Sequence, residues 1–182
     1  DLASVGYSTL GGGITYGVPF TEFDRVFFGL RYENTTIELT DFSPLRYVEY
    51  VRQFGDTSDA LALTIGWSRD DRDNLLVPTR GRYQRAFAEI GLPGLDIQYY
   101  RLTYQLQQYF PVASFLTLAF NGEIGYGDGY SGDPFPFFKN YYVGGIGSVR
   151  GFETASLGPR DLDGNPLGGN RRFNFSIEGY VP

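Results

Sequence analysis

The 182-residue sequence has no cysteine, no histidine and no methionine, and a single tryptophan. Without cysteine there are no disulfides and no thiolate metal sites. With neither histidine nor cysteine, a Ser-His-Asp or Cys-His catalytic arrangement cannot be built from this chain. A zinc site would have to use carboxylates alone, which is uncommon. No enzyme, no metal and no cofactor is therefore expected. Long apolar runs are missing too. The most apolar stretches, "LALTIGW" and "FLTLAF", fall far short of the ~18 residues of a membrane-crossing helix. The opening "DLASVGYSTL" lacks a basic start followed by an apolar run, so no signal peptide is expected. Basic residues number 15 against 21 acidic ones, a net charge of −6. That balance argues against a nucleic-acid partner held by phosphate neutralisation.

What the chain does have is glycine, tyrosine and phenylalanine: 25, 15 and 16 residues respectively. It also alternates. Residues 25–36 set Val26, Phe28, Leu30 and Tyr32 against Arg25, Arg31 and Glu33. Residues 60–69 set Leu61, Leu63, Ile65 and Trp67 against small and polar neighbours, and 172–181 set Phe173, Phe175 and Ile177 against Arg172, Asn174, Ser176 and Glu178. Stretches 97–110 and 114–127 repeat the rule, and 10–20 and 83–92 follow it less cleanly. Period-2 alternation marks strands with one apolar face. Seven strands and no convincing helix are expected.

The connections differ in length. Short ones fall at 21–24, 75–81, 93–96 and 111–114, and long ones at 40–58 and from 128 to 170. Strands joined by short turns at one end and long loops at the other describe an up-and-down antiparallel sheet. Two settings would suit it. In a soluble sandwich the apolar face is the core; in a membrane barrel it meets lipid and the polar face lines the lumen. Strands of 10–14 residues, longer than the globular norm, favour the barrel. So do polar faces carrying charges of both signs, and aromatic residues near strand ends at Phe20, Phe23, Tyr109, Phe110, Tyr126 and Tyr130. Bacterial barrels have even strand counts. Seven strands thus imply a segment of a larger barrel, its edges paired to missing strands, to each other or to a second copy.

One stretch asks for more than wall: "YYVGGIGSVRGFETASLGPRD", residues 141–161, which holds a lone guanidinium, Arg150, among glycines. On its residues alone, an exposed loop with a solvated arginine is a sufficient account. The segment "GGIGSVRGF", however, resembles the signature on the long loop of the BamA family of outer-membrane assembly and secretion barrels. "SRDDRDNLLVPTRGR" (68–82) resembles a turn of that family, and "GEIGYGDGY", "PFFKNYYVGG" and "LGGNRRFNFSIEGYVP" resemble the strands flanking the loop.

The resemblance implies an all-β, antiparallel transmembrane barrel of sixteen strands in the bacterial outer membrane. Residues 1–182 would form part of that single domain, with a long loop at about 128–170 folding into the lumen. It further implies that Arg150 pairs with an acidic residue on the next strand, Glu178, and that Val149, Gly151 and Phe152 complete the loop anchor. Gly144, Gly145 and Gly147 would be its hinge. A guanidinium suits the task because it is always charged and donates as a fixed fork. The implied function is insertion of client outer-membrane β-barrel proteins. The implied partners are outer-membrane lipid, those clients, the missing strands and upstream periplasmic domains. The alternatives are a two-partner secretion pore or other translocation pore of the same superfamily, or a passive diffusion porin. Asp70, Asp71 and Asp73 suggest a cation site, but the interleaved Arg69 and Arg72 point to a self-neutralised rim. The charges of Arg85, Glu89, Arg101 and Glu123 are read as a structural ladder across strands.

Overall fold

The structure, a computed structural model, describes residues 5–181; residues 1–4, part of the stretch read for a targeting signal, and Pro182 lie outside the described residues. Seven strands run in chain order through one antiparallel sheet: β1 (Val5–Pro19), β2 (Asp24–Leu39), β3 (Thr57–Asp70), β4 (Gly81–Gly91), β5 (Tyr99–Ala113), β6 (Leu116–Gly129) and β7 (Arg171–Tyr180). The expected strands are all present. Most are longer than the alternation alone marked out, because β1 and β5 continue through glycine, proline and polar residues at their ends.

Register explains why one face is apolar from edge to edge. Tyr16, Phe28, Ile65, Ala88, Leu102 and Tyr126 lie opposite one another across six strands, and Ile14, Leu30, Leu63, Ile90 and Tyr100 form the next row. A slip by one residue would turn each strand's apolar set to the other face, so these rows fix the pairing. Most of the large side chains in them are exposed, Ile14, Phe28, Leu30, Ile65 and Leu102 among them. Burial lies on the opposite side. Ala60, Ala62, Tyr99 and Ala119 are buried there among the polar side chains, and so is Tyr141, which the long loop brings onto that face. A sandwich would have reversed this arrangement. The apolar face therefore looks out to hydrocarbon, and the polar face is the inner wall.

This orientation makes a direct prediction. Leu63 sits mid-strand on the outer face, opposite Leu30 and Ile90. Leu63→Arg is expected to destabilise the barrel by about 2–4 kcal/mol, the cost of a cation near the bilayer midplane. Urea unfolding in lipid vesicles checks it, and a loss below ~1 kcal/mol would place that face away from lipid.

Two readings of the connections need correction. The stretch 40–58, expected as plain loop, contains a helix, α1 (Leu45–Phe54). Tyr47, Tyr50, Val51 and Phe54 fall at helical spacing and form its inner stripe, and Tyr47 is buried against Phe137. Burial pushes the Tyr50 hydroxyl up to about 12. Second, the short connection 93–96 lies at the long-loop end. The other end carries only the turns 20–23, 71–80 and 114–115, and residues 111–113, expected as a turn, continue β5. One aromatic of the expected girdle also differs: Tyr109 faces inward, buried, between Gly81 and Ala119.

The turn 71–80 is tied down by its own side chains. Asp73 accepts hydrogen bonds from the Thr79 hydroxyl and from the Thr79 and Arg80 amides, which hold its carboxyl at about 2. Arg69 bridges Asp24 and Asp71, Arg72 pairs with Asp70, and Arg82 pairs with Asp71. These aspartates thus spend their oxygens on arginines and amides, as a self-neutralised rim does.

Candidate functional site

The candidate site is the loop between β6 and β7, residues 130–170, together with the inner wall it covers. Short hydrogen-bonded contacts lead it inward. The Tyr130 hydroxyl donates to the Gly91 carbonyl, and Asp133 accepts from the Gln98 amide at 3.1 Å. A 3-10 turn, Phe137–Lys139, follows the buried Pro136. Phe137 stacks on Tyr47 of α1 with centroids 4.1 Å apart, and Tyr50 meets it edge-on at 5.3 Å. The Tyr47 hydroxyl donates to the Leu167 carbonyl at 3.0 Å. The helix therefore clamps both the outgoing and the returning limb of the loop.

At the end of that turn stands Lys139, the chain's single lysine. Its Nζ lies 2.7 Å from Glu33 Oε2 on β2 and 2.9 Å from Glu89 Oε1 on β4. Glu89 also accepts from the Tyr99 hydroxyl and faces Arg101 across the β4–β5 ladder. Two residues later comes Tyr141, 4% exposed. Its hydroxyl donates to the Leu102 carbonyl at 2.8 Å and lies 3.0 Å from Thr103 Oγ1, and the Arg101 guanidinium stacks 4.2 Å from its ring centre. The ring occupies the space over Gly125, where a β-carbon would come within 2.7 Å of it, and Phe135 sits over Gly127 in the same way. Bare backbone on β6 thus serves as a seat for aromatic rings of the loop. The limbs close on each other at this level through paired bonds between Tyr141 and Gly169, at 2.8 and 3.0 Å.

Beyond this root lies the tip. The Gly145 amide bonds the Phe152 carbonyl at 3.1 Å, the Ser148 amide bonds the Gly145 carbonyl at 3.1 Å, and the Ser148 hydroxyl accepts from the Gly144 amide at 2.8 Å. Gly144 and Gly145 have φ of 122° and 91°, where a side chain is strained, and a β-carbon on Gly144 would meet the Glu153 carbonyl at 2.4 Å. Gly147 has no positive φ and open space around it, so nothing there requires glycine. Arg150 Nη1 lies 3.3 Å from Glu178 Oε2, and the Tyr180 hydroxyl donates to the same carboxylate at 2.7 Å. The Arg150 side chain is 65% exposed, however, and Phe152 is 52% exposed. Val149 and Arg150 border a cleft of about 490 Å³ whose floor is Gln105, Asn121, Glu123 and Ser176.

The sequence-derived charge ladder is partly different in detail. Glu89 and Arg101 are cross-strand partners, but Glu123 pairs with Arg172 at 3.1 Å, and Arg85 lies over the rings of Phe27 and Phe87. Sequence reasoning missed Lys139, Tyr141 and α1. For Lys139 a signal existed: one lysine among 14 arginines, set between aromatics and an asparagine. Residues 161–165 form a turn closed by Asp161, which accepts from the amides of Asp163 and Asn165 at 3.0 and 2.6 Å.

An outward apolar face, an inner wall of charges and a loop folded onto that wall describe one kind of molecule, and comparison supplies the family. Residues 1–182 match the Omp85 superfamily domain. The chain belongs to the Omp85 superfamily. It is 39% identical over 188 aligned residues to the outer membrane protein assembly factor BamA of Neisseria meningitidis serogroup B, covering 96% of this chain and 24% of that protein. BamA of Nitratidesulfovibrio vulgaris is 27% identical, covering 94% and 22%. The crystal structure of BamA from Haemophilus ducreyi lacking POTRA domains 1–3 superposes with a TM-score of 0.88 at 26% identity, covering 97% of this chain and 37% of that one. The Omp85 chain described here thus spans about a quarter of the length of its curated relatives. It is a segment of a BamA-like outer-membrane β-barrel.

Proposed function

We propose that this Omp85 segment is the barrel portion of a factor that assembles other outer-membrane proteins, and that residues 1–182 belong to one barrel domain whose long loop is held in the lumen. The observation that carries this reading is the likeness to two BamA proteins over nearly the whole chain, joined to a loop folded against the polar wall. In this reading Arg150 anchors the loop tip to Glu178, Val149 and Phe152 flank the contact, and Gly144 and Gly145 set its turn. Client β-barrel proteins and the remaining strands of the same barrel are its partners, and the mechanism is strand addition at an edge within the membrane. The segment contributes wall and loop support and no catalytic group.

Arg150→Ala in the full-length protein tests it. Because the Arg150 side chain is 65% exposed, loss of its contact with Glu178 is expected to change stability by less than about 1 kcal/mol. Folding of a client barrel into vesicles is expected to slow even though the urea midpoint barely moves. Unchanged client folding would remove Arg150 from the mechanism. Single-channel conductance separates a porin: the loop-filled lumen predicts low conductance, and a large steady conductance in the unmodified protein would favour passive diffusion.

A further inference from the structure

We infer that Lys139 is the principal anchor of the long loop, a largely enclosed ammonium that locks the loop root onto Glu33 of β2 and Glu89 of β4, with the Arg150 contact a weaker latch at the tip. The inference rests on the reading of the loop as held in the lumen, and it divides that holding between two contacts of different character. The root contact is enclosed on both sides: the side chains of Lys139, Glu33 and Glu89 are 14%, 13% and 13% exposed, whereas at the tip Glu178 is 20% exposed but its partner Arg150 is 65% exposed. Enclosed charges interact strongly and are costly to strand, whereas exposed pairs are screened.

The wall is shaped for this lysine. Its two carboxylates stand on the strands flanking β3, Glu33 opposite Ala60 and Glu89 opposite Thr64, and between those two positions β3 turns only Ala62 to the inner face; Ala60 and Ala62 are each 1% exposed. Methyl groups leave room for one long side chain to cross the strand and bridge the carboxylates on either side. An ammonium fits because it is a compact charge with three donors. Two go to the carboxylates, and the Tyr99 ring lies 5.4 Å from Nζ. Arg101, opposite Glu89, brings the cluster of Lys139, Arg101, Glu33 and Glu89 to neutrality. Position in the chain matters as well. Lys139 precedes the Tyr141–Gly169 closure, so everything from 142 to 168 hangs beyond it. Releasing the tip leaves this root in place.

The test is amine labelling of Lys139 in the full-length protein in vesicles, read on the peptide carrying it by mass spectrometry. The unmodified protein is expected to label far more slowly than the urea-unfolded control. Arg150→Ala should leave that rate unchanged, and Glu33→Gln with Glu89→Gln should raise it on the order of a hundredfold. Heat-modifiable migration verifies that each variant is folded; should the double variant not fold, Glu33→Gln alone is expected to raise labelling by about tenfold. Trypsin cleavage at Arg150 supplies a second readout. Lys139→Glu should expose that bond, and adding Glu33→Lys should protect it again, a rescue that general destabilisation does not give. Labelling of the unmodified protein at the unfolded rate, or indifference to loss of both carboxylates, overturns the lock. Client folding separates the two proposals. Loosened labelling with unimpaired client folding removes the loop from the assembly mechanism and leaves the lock standing; an exposed Lys139 with Arg150-dependent client folding removes the lock alone.

Discussion

Tyr141→Ala is expected to destabilise the folded barrel segment by about 3–5 kcal/mol, the range for deleting a large buried ring. The cause is local and countable. The ring fills the hollow over Gly125, its hydroxyl bonds the Leu102 carbonyl and approaches the Thr103 hydroxyl, and the Arg101 guanidinium lies on its face. Truncation leaves a void against bare backbone, strips Arg101 of its stacking partner and loosens the point where the loop's limbs pair. Tyr141→Phe keeps the ring and loses only the hydroxyl contacts, so about 1 kcal/mol is expected. Gly125→Leu attacks the same contact from the wall. Its β-carbon would stand 2.7 Å from ring atoms of Tyr141, and the ring cannot retreat while its own backbone is bonded both ways to Gly169. Urea unfolding in vesicles, compared at constant slope, should rank the three with the phenylalanine variant mildest. A loss below ~1 kcal/mol for Tyr141→Ala would mean that the seat bears no weight.

The strands were legible because their chemistry is one-sided at every second residue. Leu30, Leu63 and Ile90 announce an apolar face in the sequence, and the register brings them side by side. The helix α1 was not legible, because its inner stripe is Tyr47, Tyr50, Val51 and Phe54 in a segment that also carries Arg46, Glu49 and Arg52. Aromatics recur throughout this chain, so three of them and a valine at helical spacing stand out little until Phe137 arrives to cover them. The site divides in the same way. Arg150 was conspicuous by its motif, and Glu178 by its place on the polar face of β7, and the two lie within 3.3 Å. Lys139 had no such label. Its importance comes from carboxylates 106 and 50 residues earlier in the chain and from alanines between them on β3, a coincidence that only folding creates.

The second large effect follows from that coincidence. Glu89→Ala is expected to cost about 3–5 kcal/mol, because removing one member of an enclosed charge cluster strands the others. Lys139 would keep Glu33 alone, Arg101 would lose the carboxylate it faces, and the Tyr99 hydroxyl would lose its acceptor in a place where Tyr99 itself is fully buried. Glu89→Gln keeps an acceptor for Tyr99 and removes only the charge, so a smaller loss of about 1–3 kcal/mol is expected. Charge and acceptor are thereby separated by one atom. A double-mutant cycle between Glu89→Ala and Lys139→Met should show coupling of about 0.5–3 kcal/mol, since each single change already breaks the contact that the other removes. Strict additivity would mean that Lys139 and Glu89 are neighbours without being partners, and the polar wall would then hold its loop by aromatic seats alone.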